Sequence, residues 1–339
     1  MPPGTPGTAV AGRYARRHRG AKAAEPSVCH APLVDAPLIP TVLARNVRET
    51  WGAQGERWLA ALPASIADVA GQWDLTVGAA FAMSFHWVAA VTRSDGTPAV
   101  LKLGPTGPGH LAHEAAALDA FDGRGAVRLL AYDGACGALL LERAEPGSMA
   151  RYLVPKHDGE ATAAAVAVLR RLHRRPPPHC SLPQLEDEAE CFAAHQRAYP
   201  GDDPVPRRLV ERADRLFDEL CATAPTRVLL HGDLHHDNLL SATREPWLAI
   251  DPHGVVGDPG YDVGALVYNP DPDRRDDRLL SLVPARIEQL ADGLRTPVER
   301  VVSWAFVKAV LSQVWSAEDG GTPSRRTRDV SMLLASQLP

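Results

Sequence analysis

From about residue 41 the chain alternates between two kinds of apolar spacing. "VRETWGAQGERWLAAL" repeats apolar residues three and four apart, the period of a helix with one buried face, and Pro63 is placed to open a second short helix. Five runs then suit strands: "LTVG" (75–78), "WVAAVT" (87–92), "AVLKL" (99–103), "VRLLAY" (127–132) and "ALLLE" (138–142). "RSDGTP" joins the second and third as a hairpin, and "DGACG" joins the last two. Between the third and fourth, the Ala- and Leu-rich "GHLAHEAAALDAF" (109–121) predicts a helix. From 148 the pattern becomes mainly helical, through "ATAAAVAVLRRLHR", "LEDEAECFAAHQRAY" and "PRRLVERADRLFDELCAT". "RPPPH" reads as a turn between the first two rather than as a ligand for proline-binding domains. The expectation is an α+β protein: a sheet-rich lobe over 41–147, a larger helical lobe over 148–339, and a ligand cleft at their junction.

Composition narrows the setting. With 45% apolar and 23% charged residues, the 339-residue chain reads as a soluble globular protein with room for a large core. A net charge of −5 argues against general nucleic-acid binding and suits a small cationic or neutral partner. The five cysteines are scattered and never CxxC, so a disulfide framework or zinc knuckle is not expected and a reducing cytoplasm is. No apolar run reaches the length of a membrane span. Residues 1–40 differ, with Arg13, Arg16, Arg17, Arg19 and Lys22 preceding the first acid, Glu25. The arginine pair at 16–17 lacks the apolar stretch of an export signal, so a disordered basic tail is expected. These readings describe a cytoplasmic monomer acting on a small molecule, with no nucleic-acid or membrane partner.

The candidate chemistry lies in three places. Lys102 sits among aliphatic strand residues, where a lysine calls for a partner, and Glu114 on the following helix is the candidate. The competing reading is an edge-strand lysine and a solvated glutamate. "RVLLHGDLHHDNLL" runs from an apolar strand into a polar loop, and "EPWLAIDPHG" ends another strand at Asp251. Pairing of Leu239–Leu240 with 247–250 would leave Asn238 and Asp251 at neighbouring strand ends. Phosphoryl transfer requires such parts: a carboxylate for the attacking hydroxyl and oxygen ligands for magnesium. His231 and His235 are four apart, but they straddle a strand-to-loop turn and no HExxH occurs, which argues against zinc. His231 is expected to hydrogen-bond within the loop, and His235 and His236 to line an acceptor site.

"HGDLHHDN" followed by "WLAIDPHGVVGDPGYD" resembles the aminoglycoside phosphotransferases, and more closely their streptomycin 6-phosphotransferase and hydroxyurea-kinase branch. The resemblance covers about 40–339. It implies a two-lobed protein-kinase-like fold, whose first lobe is a five-stranded antiparallel sheet with a helix, and it implies use of ATP (or GTP) with Mg2+. By that resemblance Asp233 is the catalytic base, and Asn238 and Asp251 are the magnesium ligands. Lys102 holds the nucleotide phosphates, paired with Glu114. "LERAEPG" (141–147) is the hinge, whose backbone around Glu142 and Ala144 meets the nucleobase. Asp262 accepts hydrogen bonds behind the catalytic loop. In one departure from the family pattern, the phosphate-covering segment "GAAFAMSFHW" (78–87) has only Gly78, leaving backbone amides or Ser84 to that task. A P-loop reading fails because GxxxxGK[ST] is absent.

The acceptor region is the least legible. Asp271 and Asp273 in "NPDPDRRDD", and Glu318 and Asp319 in "WSAEDG", are candidates for a polycationic substrate; a solvated loop and a helix end are the competing readings. The resemblance implies transfer of a nucleotide γ-phosphate to an aminoglycoside hydroxyl of the streptomycin type, as in antibiotic resistance. The alternatives are hydroxyurea or another small hydroxylated metabolite, and a non-catalytic binding module on the same fold. The intact set Lys102, Glu114, Asp233, Asn238 and Asp251 speaks against the last.

Overall fold

The computed structural model describes residues 39–106, 110–273 and 276–338. The basic tail falls almost wholly outside them. By internal packing the described chain forms two units, 39–112 with 129–143, and 113–128 with 144–338.

The smaller unit begins with helix α1 (Thr41–Gln72). Its break falls at Gly52, in a backbone conformation (φ 53°, ψ −128°) that favours glycine, and not at Pro63, which lies inside the helix. Proline removes one backbone donor, but Leu59, Leu62, Ile66 and Val69 are buried on either side of it, and packing holds the helix together. Strands β1 (Leu75–Ala80), β2 (Trp87–Arg93) and β3 (Pro98–Leu103) follow. After helix α2 (His110–Phe121), which from His113 on counts with the larger unit, come strands β4 (Leu129–Asp133) and β5 (Ala138–Glu142). The five strands form one antiparallel sheet in the order β1-β2-β3-β5-β4, as the turn signals anticipated. Trp87, Ala89 and Val91 on β2 and Ala99, Leu101 and Leu103 on β3 share a core with the apolar stripe of α1. This is the alternation expected where one sheet face is covered by a helix.

The larger unit opens with β6 (Pro146–Met149), a strand that the sequence pattern did not reveal, and continues with α3 (Asp158–Leu172), α4 (Glu190–Ala198) and α5 (Arg207–Ala222). Four short strands come next: β7 (Val228–Leu230), β8 (Leu239–Ala242), β9 (Trp247–Ala249) and β10 (Val255–Gly257). Together with β6 they form two small sheets, β6-β8-β9 and β10-β7. Helices α6 (Gly264–Tyr268), α7 (Asp277–Ser281), α8 (Val283–Leu294), α9 (Val298–Glu318) and α10 (Arg325–Ala335) complete the unit. Helix α9 is its axis, with Val301, Trp304, Phe306, Val310 and Val314 all fully or almost fully buried around its circumference. A helix buried on every side belongs inside a core, and α4, α5, α6, α8 and α10 pack on this one. No described helix is long and apolar enough to cross a membrane. Cys136, Cys180, Cys191 and Cys221 form no disulfide among the described residues.

Candidate active site

Two hairpin-like pairings bring the polar residues of the larger unit together. Strands β7 and β10 are antiparallel with Val255 opposite Leu230, so the turn before β10 returns to the end of β7. There the amides of His253 and Gly254 both donate to the carbonyl of His231, at 2.8 and 3.2 Å. Strands β8 and β9 pair with Leu239 opposite Ala249, and Ile250 N–H donates to the Asn238 carbonyl at 3.0 Å. Asn238 and Asp251 therefore occupy adjacent strand ends. Asp251 has φ 60°, a left-handed conformation that aspartate tolerates better than most residues and that is common where a side chain must be aimed.

Asp233 is almost buried, and its Oδ2 lies 3.7 Å from His235 Nε2 and 4.0 Å from His253 Nε2. The two rings are shifted in opposite directions. Burial brings His253 down to about 4, against the pull of Asp233 and Asp251, so it is neutral at physiological pH. Burial also works against protonation of His235, but Asp237, Asp233 and Asp251 together raise its pKa above the ordinary histidine value. His231 is neutral too, because burial lowers its pKa. Its Nε2 lies 2.9 Å from the Ile250 carbonyl while its Nδ1 accepts from Asp233 N–H at 3.3 Å, which together require the Nε2–H tautomer. His236 is buried with neither ring nitrogen hydrogen-bonded, and burial, Arg286 and His235 all keep it uncharged.

Behind the turn, the Asp262 carboxylate accepts from His231 N–H at 2.9 Å and Gly232 N–H at 2.8 Å, with His173 Nε2 at 3.0 Å. Burial pushes this carboxyl up, but His173, His231 and the Gly232 amide bring it below its usual value. It therefore stays ionised, as an acceptor of two backbone donors should.

The donor chemistry here fits a hard divalent cation. Asn238 uses its carboxamide N–H on the Asp233 carbonyl at 3.0 Å, so Oδ1 is the end that could face a cation, and Asp251 follows Ile250, whose N–H is bonded to the Asn238 carbonyl. No group of three or more His, Cys, Asp and Glu side chains among the described residues is placed to hold a metal ion, as a zinc site of such ligands would need.

The remaining candidates are spread more widely. Lys102 is 5% exposed on β3, which lies between β2 and β5 and so is not an edge strand. It alternates with Leu101 and Leu103 and points away from the α1 core. Glu142 ends β5 in the same unit. Glu114, fully buried on α2, and Ala144 count with the larger unit, and a solvated glutamate is excluded. Of the acceptor candidates, His235 and His236 are each 1% exposed and serve the interior of the loop. Asp271 is ion-paired with Arg151, whose other arm reaches Asp237 at 2.8 Å. Asp273 is exposed, while Glu318 and Asp319 are half-buried at the end of α9. Arg151 and Lys308, which donates to the Gly232 carbonyl, were missed in the sequence. The signal for Lys308 was the one that drew attention to Lys102, a lone cation in an apolar run.

In the smaller unit the connection between β1 and β2 is held from α1. Asn46 Nδ2 donates to the Ser84 carbonyl at 3.0 Å, and Trp51 meets Phe85 edge to face at 6.5 Å. A segment poor in glycine is thus fixed by a neighbouring helix.

Comparison with known proteins identifies the family. Residues 74–320 match the model of the family described as aminoglycoside/hydroxyurea antibiotic resistance kinase. The chain is 34% identical over 294 residues to streptomycin 6-kinase of Streptomyces glaucescens, covering 83% of this chain and 92% of that protein. It is 33% identical over 306 residues to hydroxyurea phosphotransferase of Kitasatospora aureofaciens, covering 87% and 86%. Among solved structures it resembles choline kinase LicA from Streptococcus pneumoniae, with a TM-score of 0.55, 12% identity and coverage of 81% of this chain and 98% of that one. That likeness concerns the fold alone. With more than half of its length matched by the family model and two such relatives, the chain belongs to the aminoglycoside/hydroxyurea antibiotic resistance kinase family, a phosphotransferase on a protein-kinase-like fold.

Proposed function

We propose that the protein transfers the γ-phosphoryl group of ATP or GTP to a hydroxyl of a streptomycin-type aminoglycoside. The observation that carries this reading is the convergence of Asp233, Asn238 and Asp251 at paired strand ends, in a chain about as similar to a streptomycin 6-kinase as to a hydroxyurea phosphotransferase. Asp233 takes the proton of the acceptor hydroxyl as its oxygen bonds to the γ-phosphorus and the bond from phosphorus to the β–γ bridging oxygen breaks. His235 Nε2 stands 3.7 Å from Asp233 Oδ2, and the neighbouring carboxylates raise the pKa of that ring. Asn238 and Asp251 would hold magnesium, which when bound offsets the charge of the phosphates. Lys102 is assigned to those phosphates, and Glu114, Glu142 and Ala144 keep the roles the resemblance gives them. Asp273, Glu318 and Asp319 remain candidates for the cationic acceptor; Asp271 is a weaker one because Arg151 already neutralises it.

The test is a screen of purified protein against aminoglycosides and hydroxyurea, following nucleotide consumption and product mass, with two variants. Asp233→Asn should lower turnover by about 10²–10⁴-fold with little change in nucleotide affinity. Lys102→Ala should weaken both. Product from hydroxyurea alone would shift the assignment to that substrate. Nucleotide binding without any phosphorylated product would favour a binding module.

A further inference from the structure

Lys308 lies midway along α9 and is 1% exposed. Its ammonium donates to the Gly232 carbonyl at 2.9 Å, in the peptide whose other residue is Asp233. It stands over the rings of Tyr261 and Trp315, 4.0 and 4.9 Å from their centroids, where the faces of aromatic rings attract a cation. Gly264 makes room for it, since a Cβ there would fall 2.3 Å from the Cβ of Lys308. Burial pulls its pKa below the usual lysine value, while Asp233, then Glu188 and Asp262, draw it back.

Packing alone gives no reason for a charge at this place. A methionine has nearly the same length and would carry no desolvation penalty. What the ammonium adds is a grip on one carbonyl. Asp262 fixes the amides of His231 and Gly232, and Lys308 fixes the carbonyl of Gly232, so the three successive peptide planes leading into Asp233 are each held by a side chain. We infer that Lys308 is a positioning residue for the transfer step, setting the Gly232–Asp233 peptide so that the carboxylate is aimed at the acceptor hydroxyl. The inference rests on the assignment of Asp233 as the base.

The experiment compares Lys308→Met, which keeps the stem without a donor, and Lys308→Gln, which keeps a shorter and uncharged donor. Thermal denaturation, calorimetric nucleotide binding and steady-state kinetics are measured for each, with Asp233→Asn alongside. A small displacement of a reacting group can cost ~10²-fold in rate. Lys308→Met should therefore fold, bind nucleotide within about twofold of wild type and lose about 10–100-fold in kcat, with Lys308→Gln at or above it. Wild-type kcat in Lys308→Met, which has no donor for the Gly232 carbonyl, overturns the inference. So does a loss carried by KM or nucleotide affinity instead of kcat, or failure of both variants to fold, which would make the lysine structural. Full turnover by Asp233→Asn would remove the base assignment and this inference with it. An impaired Asp233→Asn beside unimpaired Lys308 variants removes the inference alone.

Discussion

Asn238 donates its side-chain N–H to the backbone carbonyl of Asp233 at 3.0 Å. One bond thus orients the carboxamide oxygen proposed for the metal and braces the residue proposed as the base. The two assignments are not independent, and a substitution at either position should disturb the other.

Asn238→Ala removes an oxygen ligand and that brace together. The magnesium concentration needed for half-maximal activity should rise at least about tenfold, and kcat should fall as well. Titrating magnesium into EDTA-treated wild type and variant measures both effects. Elemental analysis should find no stoichiometric zinc; zinc whose removal abolishes activity would reinstate the histidines as ligands.

Asp262→Ala leaves the buried amides of His231 and Gly232 without acceptors. Each unsatisfied buried donor costs about 1–3 kcal/mol, so the unfolding free energy should drop by about 2–6 kcal/mol in urea denaturation. Asp262→Asn, which keeps one acceptor oxygen, should lose less. Equal stability of wild type and the alanine variant would mean that other groups or water replace the carboxylate.

Acid should destabilise the fold over a defined window. His253 is brought from 6.5 to about 4 by burial, and His195, His113 and His231 are lowered for the same reason. The folded protein thus prefers these rings neutral, while the unfolded chain protonates them near 6.5. Their contribution is complete above 6.5 and is lost as pH falls towards about 4, with His253 accounting for on the order of 3 kcal/mol. His235 works in the opposite sense. Urea midpoints measured from pH 7.5 downward should decline across this range, with net proton uptake on unfolding.

Asn46→Ala should release the Ser84 carbonyl and loosen the β1–β2 connection. One neutral hydrogen bond contributes about 1 kcal/mol, so nucleotide affinity should weaken about fivefold if this segment covers the phosphates. Calorimetric titration decides the matter. Unchanged affinity with a lowered melting temperature would leave the bond a purely structural one.

The sheet of the smaller unit was legible because Ser-Asp-Gly and Asp-Gly turns punctuate runs of period two, and Lys102 drew attention as a cation in an apolar strand. The ends of β8 and β9, and with them Asn238 and Asp251, followed from a hairpin short enough to have few alternatives. The break in α1 was misplaced because proline is the stronger punctuator in sequence, whereas burial of Leu62 and Ile66 overrides it in the fold. Strand β6 escaped because "PGSM" has no strand pattern of its own and is paired only by its partner β8. Arg151 escaped for a related reason: its partners Asp237 and Asp271 are remote in sequence and only the fold joins them.

Gly254 has φ 70°, and a Cβ there would lie 2.7 Å from the methyl of Ala117 and 3.1 Å from the carbonyl oxygen of His113, both on α2. The helix therefore lies against the turn that begins at Asp251, too close for any side chain at Gly254. A displacement of the turn towards the helix would have to move the helix with it. A fluorophore or spin label at Asp119, which is exposed on the same helix, would accordingly report events at the Asp251 turn without touching any residue of the site.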